Sequence, residues 1–145
     1  MSENFDHKQT LGYRSAQLAR LAGNRLREAL IPLGLLPAQY TALAEIAKDE
    51  GMTQKDLVLR LGLEQPGVAR TLSGLEAMGW IERRNLGKGR AQALHLTARA
   101  HEALPRAHSL AAAVDRQMLA PLTRTEAALL LDELDQLAEA HHNAG

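Results

Sequence analysis

Residues 64 to 84 read EQPGVARTLSGLEAMGWIERR, and the fold turns on how they are read. Val68, Leu72 and Leu75 recur at i, i+4 and i+7, which makes one apolar stripe of a helix. Pro66 suits the first helical position, where its missing N–H costs nothing. Gly79 is a natural left-handed stop. The spacing therefore predicts a helix from Pro66 to Met78. Its outward face carries Pro66, Ala69, Arg70, Ser73 and Gly74. That face is small and polar with one long cation, and it suits close approach to another surface. WIERR then reads as a short strand.

Upstream, Leu11, Leu18, Leu21, Leu26 and Leu30 recur near helical spacing, which predicts a first helix from Leu11 to Leu30. Pro32 and Gly34 end it. Pro37 opens a second helix, PAQYTALAEIAKDE, which closes at Gly51. Its start relies on Pro37, since Leu36 cannot cap it. Thr53 reads as an N-cap, with Asp56 placed to complete a capping box. The third helix, Gln54 to Leu61, is short and ends at Gly62.

Downstream of WIERR, NLGKGR is a turn, and AQALHLT resumes as a second strand with Leu94 and Leu96 on one face. The two strands form a ribbon with a basic tip. Thr97 caps a long helix from Ala98 to about Leu119, with a kink or break expected at Pro105. Thr123 and Glu126 form a second capping box, opening a last helix to about Ala140. The final HHNAG is expected to fray.

The chain has 145 residues, 46% of them hydrophobic but only 3% aromatic. Its length fits one domain, residues 1–145, or one subunit of an oligomer. The Leu and Ala content favours helices over a β-sandwich. There is no cysteine, which excludes disulfides, thiolate zinc sites and thiol redox switches. No apolar run approaches a membrane span, and the polar start MSENFDHKQ is unlike a signal peptide, so the expected compartment is the cytoplasm, with no membrane partner.

The net charge is zero, yet residues 52–99 hold eight Lys/Arg against four acids, while residues 120–145 hold one against five. A basic middle points to a local anionic partner. No arrangement for catalysis stands out, and no glycine-rich phosphate loop follows a strand. The expectation is no enzyme and no cofactor.

Helix, short helix, glycine-containing turn, helix and basic hairpin make a winged helix-turn-helix. The fold class is mainly α with a small β-wing. Residues 37–100 form the lobe, and residues 8–36 and 101–145 form a helical dimerisation region. In such a unit the second helix enters the major groove, and its first residues meet base edges. Arg70 then reaches a guanine edge or a phosphate. Thr53 and the first turn of the third helix offer N–H groups to phosphate. Lys88, Gly89 and Arg90 suit the narrow minor groove. The leucine faces of the first and last helices exceed what a lobe of about 60 residues buries, so two chains are expected to pair. A two-fold dimer implies a pseudo-palindromic duplex site.

The segments GLLPAQYTALAEIA, MTQKDLVLRLGLEQPGVARTLSGLEAMGWIERR and GRAQALHLT resemble the MarR family of bacterial transcription regulators. The run QPGVARTLSGLE is most similar to its SlyA branch. The resemblance implies a homodimer, a palindromic operator, repression in most members, a nucleoid-associated cytoplasmic protein, and release by a small aromatic or phenolic ligand. Gln65, Pro66, Gly67, Arg70 and Thr71 match the family's recognition-helix positions. Arg83 matches the arginine after that helix, with Arg84 beside it, and Arg90 matches the wing-tip arginine. The family's wing acid is replaced here by Lys88, which predicts looser Arg83 and Arg90 side chains but stronger phosphate attraction. Tyr13, Arg14, Arg20 and Tyr40 lie near the family's ligand crevice.

Two other readings fit the same residues. One is a helical protein-interaction dimer with a degenerate wing. The other is a metal-responsive regulator using some of the six histidines with Glu or Asp; on the residues alone, no metal ligand is assigned.

Overall fold

The computed structural model describes residues 4–142. The Thr10 hydroxyl accepts the Tyr13 amide at 3.2 Å and opens helix α1 (Leu11–Leu30). A 3-10 turn, Ile31–Leu33, and Gly34 at φ 69° end it. Helix α2 (Pro37–Lys48) begins at Pro37 as predicted. Pro37 does not act alone, because the Gln39 side chain reaches back to accept the Leu36 amide at 2.9 Å. Thr53 and Asp56 form the predicted capping box at helix α3 (Gln54–Leu61). Asp56 accepts hydrogen bonds from the backbone and side chain of Thr53, and these hold its carboxyl below the ordinary value.

Helix α4 spans Gln65–Ala77, one residue earlier at each end than the spacing predicted. Glu64 is the extended cap residue, so Pro66 takes the second helical position. The amide there also lacks an intrahelical partner, so proline fits equally well. Strands β1 (Ile81–Asn85) and β2 (Gln92–Leu96) pair antiparallel, with Ile81 opposite Leu96 and Arg83 opposite Leu94. The free edge of β2 is closed by the α2–α3 loop: Gly51 N–H donates to Leu94 O and Leu94 N–H to Met52 O, both at 2.8 Å.

Helix α5 runs unbroken from Ala98 to Leu119, so the break expected at Pro105 does not occur. Pro105 lies on the exposed face, between buried Leu104 and Ala107. The carbonyl it deprives of a partner can be hydrated, while the two buried neighbours anchor the helix to the core. The Thr123–Glu126 box opens helix α6 (Arg124–His142). This helix continues through His141 and His142, which the sequence reading assigned to a frayed end; residues 143–145 lie outside the described residues.

The core sits in the middle of the chain. Leu43, Ile46, Leu57, Leu72, Leu75, Trp80 and Leu94 are sealed from solvent, closed by Leu30 of α1 and by Leu104 and Ala107 of α5. The ends differ. Helix α6 buries none of its residues. Leu18 and Leu21 of α1, and Leu129, Leu131 and Leu137 of α6, are exposed. No single helix among the described residues is long and apolar enough to cross a membrane.

Candidate nucleic-acid interface

Helix α4 is anchored by Val68, Leu72 and Leu75, which face the core. That registers the helix so that Pro66, Arg70 and Ser73 are exposed, as predicted, with Gln65 and Gly67 beside them, while Ala69, expected on the same face, is half-buried. Among the described residues, the Arg70 side chain has no ion-pair or hydrogen-bond partner. Thr71 is half-buried and lines a cavity of about 320 Å³ with Ala38, Thr41, Leu63 and Gly67. Gly74 does not face outward as predicted. It turns toward α2, and a Cβ there would lie 3.4 Å from Gln39 Nε2. The helical wheel identified the core stripe but not the flank that α2 covers.

Behind α4, Thr53 is not free to bind phosphate through its own amide, which donates to Asp56 Oδ2 at 3.1 Å. The amides of Gln54 and Lys55, in the first turn of α3, have no intrahelical acceptor and remain available.

The wing begins at Trp80, which is buried where α4 meets the ribbon, as predicted. The Arg99 guanidinium lies 3.9 Å over its ring and donates to Met78 O at 2.5 Å. Thr97 Oγ1 donates to Gly79 O at 2.8 Å. These contacts tie the end of α4 to the start of α5. The Trp80 indole N–H is buried with no partner among the described residues.

At the wing tip, Gly87 has φ 133° and its hypothetical Cβ would lie 3.4 Å from Arg90 Cδ. The backbone conformation favours glycine there, while the contact with Arg90 is an ordinary one. The Arg90 amide closes the turn on Gly87 O at 3.1 Å. Lys88 and Arg90 are exposed, and their side chains have no partner among the described residues. Arg84 is exposed but paired with Glu82 at 2.6 Å, which cancels much of its field.

Arg83 departs most from the sequence reading, which expected it to be loose without a wing acid. Its side chain is only 19% exposed, and its Nε lies 3.4 Å from Glu76 Oε1. Its Nη1 donates to Gln54 Oε1 at 3.3 Å. Alternation along β1 explains this, since Ile81 and Arg83 share the inward face while Glu82 and Arg84 share the outward one.

Two histidines of helix α5 have partners within the chain. His101 Nε2 lies 3.0 Å from Glu50, which also accepts the Leu96 amide at 2.8 Å. His108 Nδ1 and Tyr40 OH are 2.7 Å apart, and burial raises the Tyr40 hydroxyl above its ordinary value. Among the described residues, no three His, Asp or Glu side chains converge as a metal site. Of the other residues placed near the ligand crevice, Tyr13 packs edge-on to His7 and Arg14 donates to Gln9 at 2.8 Å.

The model of the MarR family matches residues 33–91, which include α2, α3, α4, β1 and the wing tip. A curated relative, the uncharacterized HTH-type transcriptional regulator YwoH of Bacillus subtilis, is 36% identical over 86 residues, 59% of this chain and 63% of its own length. The chain thus matches less than two thirds of that relative. The HTH-type transcriptional repressor Rv2887 of Mycobacterium tuberculosis is 27% identical over 78% of this chain and 82% of its own length. Its crystal structure with salicylic acid has a TM-score of 0.72 at 25% identity, covering 90% of this chain and 98% of that one. A mutant MarR from E. coli complexed with operator DNA has a TM-score of 0.83 at 25% identity, covering 94% of this chain and 99% of that one.

Proposed function

We propose that the chain is a member of the MarR family, whose model matches residues 33–91, and that it is a sequence-specific DNA-binding transcriptional regulator that represses as a homodimer on a pseudo-palindromic operator. The observation that carries this reading is the arrangement of unpaired cations. Arg70 stands on the exposed face of α4, and Lys88 and Arg90 stand at the wing tip. One element fits the major groove and the other fits the flanking minor groove. Gln65, Pro66, Gly67 and Thr71 bring the start of α4 close to the base edges. The amides of the first turn of α3, beside Thr53, hold a phosphate. Arg84 adds a weaker backbone contact, because Glu82 shares its charge.

Residues 37–100 act as the DNA-binding lobe, and residues 8–36 and 101–145 as the dimerisation region. The exposed leucines of α1 and α6 are covered by a second copy of the chain, which sets the two copies of α4 about one DNA turn, or a multiple of it, apart. The relatives solved with salicylic acid and with operator DNA support an effector that releases the operator. A small aromatic acid would enter the cavity of about 320 Å³ behind α4, whose wall includes Gly67 and Thr71. Occupancy there favours positions of α4 within the lobe that do not fit the groove, which lowers operator affinity by population shift.

Selecting bound sites from a random duplex pool tests the reading. An inverted repeat should be enriched, and Arg70→Ala should lose preference at one base pair of each half-site, a discrimination of about 1–3 kcal/mol. A pool left unenriched by the wild-type protein refutes the proposal.

A further inference from the structure

The DNA-facing elements, α3, α4 and the wing, meet at one side chain. Arg83 projects from the inward face of β1, with its Nε 3.4 Å from a carboxylate oxygen of Glu76 in the last turn of α4 and its Nη1 donating to Gln54, the first residue of α3. Other cations of the wing are exposed, whereas this one is mostly covered. The guanidinium is a planar fork with donors in fixed directions, so it can hold two acceptors on different elements at once; an ammonium holds them less well.

We propose that Arg83 is a positioning residue for operator recognition: through Glu76 and Gln54 it locks α3, the recognition helix and the wing into one rigid reading head. The inference rests on the DNA-binding reading above, and it reassigns Arg83 from contacting DNA to holding the elements that do. Base readout tolerates displacements of only a fraction of an ångström, so a loosened head loses specific contacts first. Phosphate attraction at the other cations depends far less on such geometry.

Glu76 distinguishes the two roles by sign. If Arg83 is a clamp, removing the Glu76 charge damages recognition. If Arg83 is a phosphate contact, removing that charge frees the guanidinium and strengthens binding.

The experiment compares wild type, Arg83→Gln, Arg83→Lys, Glu76→Gln and the Arg83→Gln/Glu76→Gln double variant. Each is titrated against the selected operator and a random duplex over a series of salt concentrations. The clamp predicts that Arg83→Gln and Glu76→Gln each weaken operator binding about tenfold, the size of one lost charge-assisted hydrogen bond. Random-duplex affinity and the salt slope stay unchanged, Arg83→Lys recovers only part of the loss, and the double variant is no worse than either single. A parallel fall on both duplexes with a slope reduced by about one, full rescue by Arg83→Lys, or tighter binding by Glu76→Gln overturns it.

Thermal unfolding of the free proteins provides a readout without DNA. The clamp predicts non-additive losses for the Arg83 and Glu76 variants, and strictly additive losses contradict it. A wild-type protein with no preferred duplex would refute the DNA-binding reading, while this coupling would still judge the clamp.

Discussion

In the lobe around α4, Leu57, Leu72, Leu75 and Leu94 are wholly buried, whereas Leu18 and Leu21 of α1 and Leu129, Leu131 and Leu137 of α6 are exposed. The same residue type serves two different purposes. The lobe closes its core within one chain, and its small outward face is left for a ligand. The helical ends carry apolar faces that a single chain leaves uncovered. Scattered surface leucines are ordinary, but a whole helix with no buried residue is not. The lobe thus closes its core within one chain, while in the proposed dimer the ends are completed by a second copy.

Two substitutions break this comparison from opposite sides. Leu72→Ala empties a fully buried site and should cost the lobe about 2–5 kcal/mol at any protein concentration. Leu134→Glu adds a charge to the open face of α6 and should leave the lobe folded while making the dimer dissociate. Chemical unfolding and sedimentation, each run at several concentrations, separate the two. Equal concentration dependence in both variants would remove the distinction.

A smaller effect sharpens the comparison through the capping boxes. Asp56 in the lobe and Glu126 in α6 are each held below their ordinary values, chiefly by backbone hydrogen bonds, from Thr53 and Thr123 respectively. A carboxyl depressed in the folded state binds fewer protons there than in the unfolded chain. Its contribution is therefore present above the ordinary carboxylate range near pH 4 and is lost as pH falls through the depressed value. Both groups are exposed, so the effect is slight. Asp56→Asn should flatten the acid limb of lobe unfolding, and Glu126→Gln the acid limb of dimer dissociation. Unchanged acid midpoints in both variants would deny the caps a role.

The parts of the fold legible in the sequence are those fixed by short-range chemistry. Both capping boxes, the stops at Gly62 and Gly79, and the Val68–Leu72–Leu75 stripe depend on residues a turn or two apart. The exposed positions of Arg70, Lys88 and Arg90 followed from that register. What was missed depends on partners far along the chain. Gly74 faces Gln39, which is 35 positions away, and Arg83 bonds Gln54 across 29. At Pro105 the helix continues instead of breaking, and the buried contacts of Leu104 and Ala107 that anchor it there are contained in no local rule. The alternation of β1 was a signal that could have found Arg83, because it places the side chain on the face of buried Ile81.

The central claim is that two lobes, held at a fixed separation by the helical ends, read one operator together. Inserting five base pairs between the half-sites of the selected operator rotates one half-site by about half a turn of the duplex. The account predicts two chains per duplex on the original operator and a collapse of affinity, to the level of a single half-site, on the lengthened one. Unchanged affinity on the lengthened duplex, or one chain per duplex on the original, would contradict it.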